Sequence, residues 1–178
     1  MRIMQVIDYG TFGEGYIDAA VKAAKHADII WFRIKTGDIR VKAAKLREAL
    51  PDAFLSLSLD ACTAAELGYQ AVQLGFGADI AGVRAKHPGL KIGYSAHSIS
   101  EIENTDADFY TLSPVFFTEK DYEVKPLGPQ DVSALGKEVY ALGGINADNI
   151  SELRGFGFAG VAGISFVDEL AEIKAQAL

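Results

Sequence analysis

Short β-rich runs alternate with longer helix-like segments along the whole chain, and that rhythm leaves few folds open. Eight such runs stand at 2–8, 29–34, 54–59, 71–74, 91–95, 109–112, 139–142 and 161–164, at roughly the spacing of βα units. Between them, 16–26 carries Ala19, Ala20, Ala23 and Ala24 at helical spacing. The segment 41–50 places Val41, Ala44 and Leu50 likewise, with Lys and Arg between. A third segment, 147–155, opens after Asn146, a good N-cap, and ends near Gly155 and Gly157, good C-cap residues. Eight units of this kind favour closure into a parallel (β/α)8 TIM barrel with outer helices over an open doubly wound sheet. At 178 residues the chain is shorter than the smallest typical barrels. Trimmed loops and a missing or degenerate helix are therefore expected. The sequence shows no linker, repeat or low-complexity segment, so 1–178 reads as one domain with one core.

Composition narrows the function classes. No apolar run approaches the ~18 residues of a membrane span. The apolar start breaks at Asp8, too soon for a signal peptide. The single cysteine, Cys62, excludes an intrachain disulfide, which fits a cytoplasmic setting. It has no adjacent His and reads as a small apolar filler. A formal net charge of −7 argues against nucleic acid as the main partner. An anionic substrate would need a local basic or backbone N–H site, and a homo-oligomer stays open.

Barrel chemistry sits where strands end and βα loops begin. The seventh run ends in Leu142-Gly143-Gly144-Ile145-Asn146 and the eighth in Gly163-Ile164-Ser165, each directly before a helical segment. Glycine lets the backbone approach a ligand, and N–H groups at a helix start favour an anion. Two such loops at these places point to a phosphate-binding cup built from Gly143, Gly144, Gly163, Ile164 and Ser165. The competing reading is that the glycines only permit tight turns. Arg33 and Lys35 lie two apart at the end of the second run and so share a face. Two cations on an inner barrel face are costly unless an anion meets them. Alternatively, both lie past the strand end in solvent. His97 follows the fifth run and would relay a proton in a neutral pocket, or else satisfy loop backbone. His26 and His87 sit in polar, helix-like surroundings and read as surface residues.

Several stretches in register resemble the thiamine phosphate synthase/TenI family. Ile92-Gly93-Tyr94-Ser95-Ala96-His97-Ser98, then Ala107-Asp108-Phe109-Tyr110, is similar to its G-x-S-x-H-S and A-D-Y order. Ser113-Pro114-Val115-Phe116-Phe117-Thr118 resembles G-P-V-F-x-T, and Pro126-Leu127-Gly128 matches P-L-G. Ala141-Leu142-Gly143-Gly144-Ile145 resembles A-I-G-G-I, and Gly160-Val161-Ala162-Gly163-Ile164-Ser165 resembles G-V-A-V-I-S. The resemblance implies a transferase that joins hydroxymethylpyrimidine pyrophosphate to a thiazole phosphate, releasing pyrophosphate, with Mg²⁺, an Arg, a Lys and backbone donors offsetting the charge. TenI-type relatives keep the barrel without making this bond, and some isomerise the thiazole precursor by proton transfer.

Carried over residue by residue, the family's Q-x-R-x-K clamp falls on Trp31, Arg33 and Lys35, with Trp in place of Gln. Trp31 would then fill part of the pyrimidine pocket. Ser95 and Thr118 are implied as substrate or phosphate contacts, His97 as an acid–base residue, and Lys120 as a catalytic cation, with Lys125 competing. The family's metal acid after strand three falls on Leu59 in an ungapped match and on Asp60 with a one-residue gap. Its second acid corresponds to Asp79, one place late. Asp60 with Asp79 is the implied Mg²⁺ pair; the alternative is that they are helix caps or surface residues. Three functions compete: a synthase, a TenI-like tautomerase, and a non-catalytic binder that kept the phosphate cup.

Overall fold

The computed structural model describes residues 1–118 and 125–177. Strands β1 (Arg2–Asp8), β2 (Ile29–Arg33), β3 (Leu55–Ser58), β4 (Ala71–Leu74), β5 (Lys91–Ala96), β6 (Phe109–Leu112), β7 (Val139–Leu142) and β8 (Gly160–Gly163) are all parallel. They run in chain order, and β8 pairs back onto β1 to close the barrel. The expected (β/α)8 architecture is therefore present, with strand limits shifted by a residue at most.

Strands buried on both faces must be apolar on both faces, and β2 (Ile-Ile-Trp-Phe-Arg) shows how the two faces divide. Ile30 and Phe32 pack with Ala20, Ala23, Ala43 and Leu46 in the layer between strands and helices. Ile29 and Trp31 point the other way and join Met4, Val6, Ala71, Phe109, Tyr140 and Ala162 inside the barrel. Toward the C-terminal ends of the strands the lumen turns polar. Alternation puts Ser56, Ser58, Gln73, Ser95 and Thr111 on the inner face there.

Helices α1 (Tyr9–Phe12), α2 (Tyr16–Ala23), α3 (Ile39–Ala49), α4 (Ala61–Glu66), α5 (Ile80–Lys86), α6 (Ile99–Glu103) and α7 (Leu170–Gln176) cover the outside. α3 to α6 each begin on a side chain that accepts a backbone N–H three residues on: Asp38, Asp60, Asp79 and Ser98. The helix expected at 16–26 stops at Ala23. The helix expected at 147–155 is replaced by a single 3₁₀ turn, Ile150–Leu153. Asn146 accepts the N–H groups of Asp148 and Asn149, while Asn149 accepts the N–H of Asn146. This local pairing competes with a regular helix. Between β6 and β7 the described residues hold one further 3₁₀ turn, Ser133–Leu135, and no α-helix. Among the described residues the missing and degenerate helices thus fall at the sixth and seventh crossovers, while the shortest crossovers are 59–70 and 97–108. No described helix is long and apolar enough to cross a membrane. An open cleft of about 460 Å³ lies at the N-terminal end of the barrel, among Met1, Ser133, Arg154 and Phe158, away from the strand ends that carry chemistry.

Candidate active site

At the end of β7, Gly143 and Gly144 take left-handed backbone angles, φ 100° and 67°. A Cβ on Gly143 would lie 2.9 Å from Pro114 Cα, and one on Gly144 would lie 2.2 Å from the Phe117 carbonyl oxygen. Both glycines are therefore required by the loop after β6, which is drawn over them. Val115 and Phe116 donate to the carbonyls of Leu142 and Gly143, at 2.9 and 3.0 Å. Asn149 Nδ2 donates to the Gly144 carbonyl at 2.8 Å. These bonds occupy carbonyls and leave amides free. Among the described residues, the N–H groups of Gly144, Ile145, Ile164 and Ser165 have no acceptor. Ile164 and Ser165 follow the end of β8, where the 3₁₀ turn Ser165–Asp168 begins. Amides of this kind on neighbouring strand ends form an anion-binding concavity. Gly163 contributes differently from expectation. Its missing side chain makes room for the Phe166 ring, which a Cβ would meet at 2.5 Å.

Across the mouth, Arg33 ends β2 and its Nη1 lies 2.7 Å from Asp8 Oδ1 at the end of β1. The same Asp8 caps α1 by accepting the Thr11 N–H. Asp8 thus orients the guanidinium while leaving it partly open to solvent. Lys35 lies beyond the strand and is exposed, so the shared face expected for the two cations ends at Arg33. Trp31 is buried inside the barrel, and its Nε1 donates to Ser58 Oγ at 2.8 Å.

The two residues expected for Mg²⁺ each use one carboxylate oxygen to cap a helix. Asp60 Oδ1 accepts the Thr63 N–H at 2.9 Å, and Asp79 Oδ1 accepts the Gly82 N–H at 2.9 Å. Each carboxylate caps its own helix. Leu59, the residue at the family's metal position in the ungapped match, has φ 65° and is 67 % exposed. Among the described residues no group of three or more His, Cys, Asp or Glu is placed to hold a metal.

On the far wall, His97 Nδ1 lies 2.9 Å from the Ser113 carbonyl, which can only accept. That bond assigns the proton of a neutral ring to Nδ1 and leaves Nε2 as the acceptor. Ser95 Oγ accepts from Gln73 Nε2 at 3.1 Å. Gln73 Oε1, buried, has no partner. Thr118 is half-buried at the end of the β6 loop, Lys125 is exposed, and Lys120 lies outside the described residues. Cys62 is not a core filler. It is exposed on the outer side of α4, and its hydrogen bond to Glu66 raises the thiol pKa. His26 is exposed as expected, whereas His87 is half-buried at the end of α5.

Sequence reasoning missed Asp8, Gln73 and Gln5. The readable signal for the two glutamines was an amide-bearing residue in an apolar run that must be buried on both faces.

A family model described as "Thiamine monophosphate synthase" matches residues 5–167. The chain is 29% identical over 181 residues to "Putative thiamine-phosphate synthase 2" of Aquifex aeolicus, covering 92% of this chain and 96% of that protein. It is 29% identical over 146 residues to the thiamine-phosphate synthase of Staphylococcus carnosus, covering 75% of this chain and 69% of that one. The solved structure of thiamine phosphate pyrophosphorylase from Pyrococcus furiosus superposes with a TM-score of 0.84 at 26% identity, over 99% of this chain and 96% of that one. N-(5'-phosphoribosyl)anthranilate isomerase from the same organism shares the fold, with a TM-score of 0.71 at 16% identity over 99% and 98% of the two chains.

Proposed function

We propose, from the premise that the chain belongs to the thiamine monophosphate synthase/TenI family, that it is a synthase-type transferase joining hydroxymethylpyrimidine pyrophosphate to a thiazole phosphate. The observation that carries this reading is the set of acceptor-free amides at Gly144, Ile145, Ile164 and Ser165. They suit a phosphate on one substrate and fix that substrate at the β7–β8 side of the mouth. Arg33, steadied by Asp8, stands at the β1–β2 side to meet the second anion. There it would offset charge as pyrophosphate departs, with Lys35 and Lys120 as further cations. Trp31 forms the apolar floor beside Arg33, suited to a flat pyrimidine ring. In the family's chemistry Mg²⁺ neutralises the leaving pyrophosphate; here the acids that would hold it, Asp60 and Asp79, serve as helix caps. We assign the activity to the cytoplasm.

The test is pyrophosphate release with both precursors, each precursor alone, and with or without Mg²⁺. Release that needs both precursors is expected. Release from the pyrophosphorylated precursor alone, or none under any condition, would sink the synthase reading. The capping role of the two acids specifically favours a second reading, a metal-independent tautomerase of the TenI type. In that case His97 Nε2 accepts a proton from the thiazole precursor, and His97→Ala abolishes isomerisation.

A further inference from the structure

We infer that Gln5 is a positioning residue that turns the two peptide units after β8 toward the barrel mouth. Gln5 is fully buried in β1, opposite Gly163 of β8, on the face away from the lumen. The two N–H groups of its Nε2 are shared among the carbonyls of Val6, Gly163 and Ile164, at 3.0, 3.1 and 2.8 Å. Turning the amide over would set Oε1 against three oxygens that can only accept, so the orientation follows from the partners. In a trans peptide the N–H points opposite to the carbonyl of the same unit. The Gly163 carbonyl shares its unit with the Ile164 N–H, and the Ile164 carbonyl shares its unit with the Ser165 N–H. Drawing both carbonyls onto one outer amide therefore directs two successive N–H groups inward. Those are two of the four amides without acceptors. The Phe166 ring packs over Gly163 and is itself buried, which holds this side of the turn. Gln5 Oε1 is buried without a partner. An apolar strand position would tolerate Leu or Met better than a half-satisfied amide, unless the donor does something the packing does not.

The inference rests on the phosphate reading of the β7–β8 loops, and the experiment separates the two. The ¹⁵N-labelled protein is titrated with inorganic phosphate and followed by ¹H–¹⁵N spectra. In the wild type, Gly144, Ile145, Ile164 and Ser165 should shift along one isotherm. The Gln5 Nε2 protons should follow it, because polarising a peptide N–H strengthens the carbonyl of the same unit as an acceptor. Gln5→Met keeps the length and removes the donor. It should weaken phosphate binding roughly tenfold, the low end of what removing an outer partner costs. The shifts at Ile164 and Ser165 should shrink relative to those at Gly144. Wild-type affinity in Gln5→Met overturns the positioning role. So do unmoved Gln5 Nε2 protons while Ile164 and Ser165 shift, a result that decides the matter even if the variant fails to fold. If no amide of the four moves in the wild type, the phosphate reading falls first and the inference with it.

Discussion

At the ends of β7 and β8, side chains and a neighbouring loop bond the backbone carbonyls and leave several amides without an acceptor among the described residues. Asn149 takes the Gly144 carbonyl, Gln5 takes those of Gly163 and Ile164, and the β6 loop lies across Gly143 and Gly144. At the ends of β2 to β4 the charged side chains mostly serve the fold itself. Arg33 is paired with Asp8, while Asp60 and Asp79 cap α4 and α5. The difference teaches where specificity lies in this barrel. In the proposed reading, the β7–β8 side would recognise an anion through backbone amides, a geometry that any phosphate satisfies. The β2–β4 side depends on a few side chains whose identity can drift, as Trp31 and Leu59 show.

The largest effect that would break this contrast is expected at Gly144. Gly144→Val puts a side chain at φ 67° and a Cβ against the Phe117 carbonyl. With two or more charge-assisted hydrogen bonds misplaced, inorganic phosphate binding measured by calorimetry should weaken on the order of 1000-fold. Unchanged affinity would mean the cup is not the anion site. Arg33→Met comes next. Turnover per KM for the pyrophosphorylated precursor should fall roughly 100-fold, with KM for the thiazole phosphate unmoved. Equal losses for both substrates would erase the division between the two sides.

Two smaller effects sharpen the β3–β4 side. Asp60→Ala removes an N-cap and should cost about 1 kcal/mol in denaturant unfolding while leaving turnover and its Mg²⁺ dependence alone. A collapse of turnover would instead make Asp60 a ligand. Leu59→Asn replaces an exposed leucine in a left-handed conformation with a residue that tolerates it. Stability should rise by roughly 0.5 kcal/mol, and a lower unfolding midpoint would mean that the Leu59 side chain has a partner in solution.

The barrel was legible because strands such as Ala71-Val72-Gln73-Leu74 have no room for a helical period, and the turns between runs are marked by Gly, Pro and Asn. The seventh crossover was misread as a helix. Asn146 caps either a helix or a local turn, and only the partnership with Asn149 decides between them. The glycines of the proposed phosphate cup stood out in the sequence, but what requires them in the fold is the β6 loop, more than twenty residues earlier for Gly144 and Phe117. The Arg33–Asp8 pair joins β1 to β2 across a whole crossover, and the Gln5 bonds to Gly163 and Ile164 join the first strand to the end of the last, so no local pattern announces them. Asp60 and Asp79 cap α4 and α5 through bonds three residues long, a local role that their positions before helical segments allow.

Trp31 has a consequence of a different kind. It is the single tryptophan of the chain, sealed in the lumen two residues before Arg33, with its indole N–H on Ser58. The protein therefore carries a built-in optical reporter at the floor of its own mouth. Its emission reads one known environment, so a change in the spectrum on adding either precursor registers an event at the β2–β3 side. Silence on adding inorganic phosphate, for which the proposed site is the β7–β8 side, would let the two sides be titrated apart in one cuvette without any label.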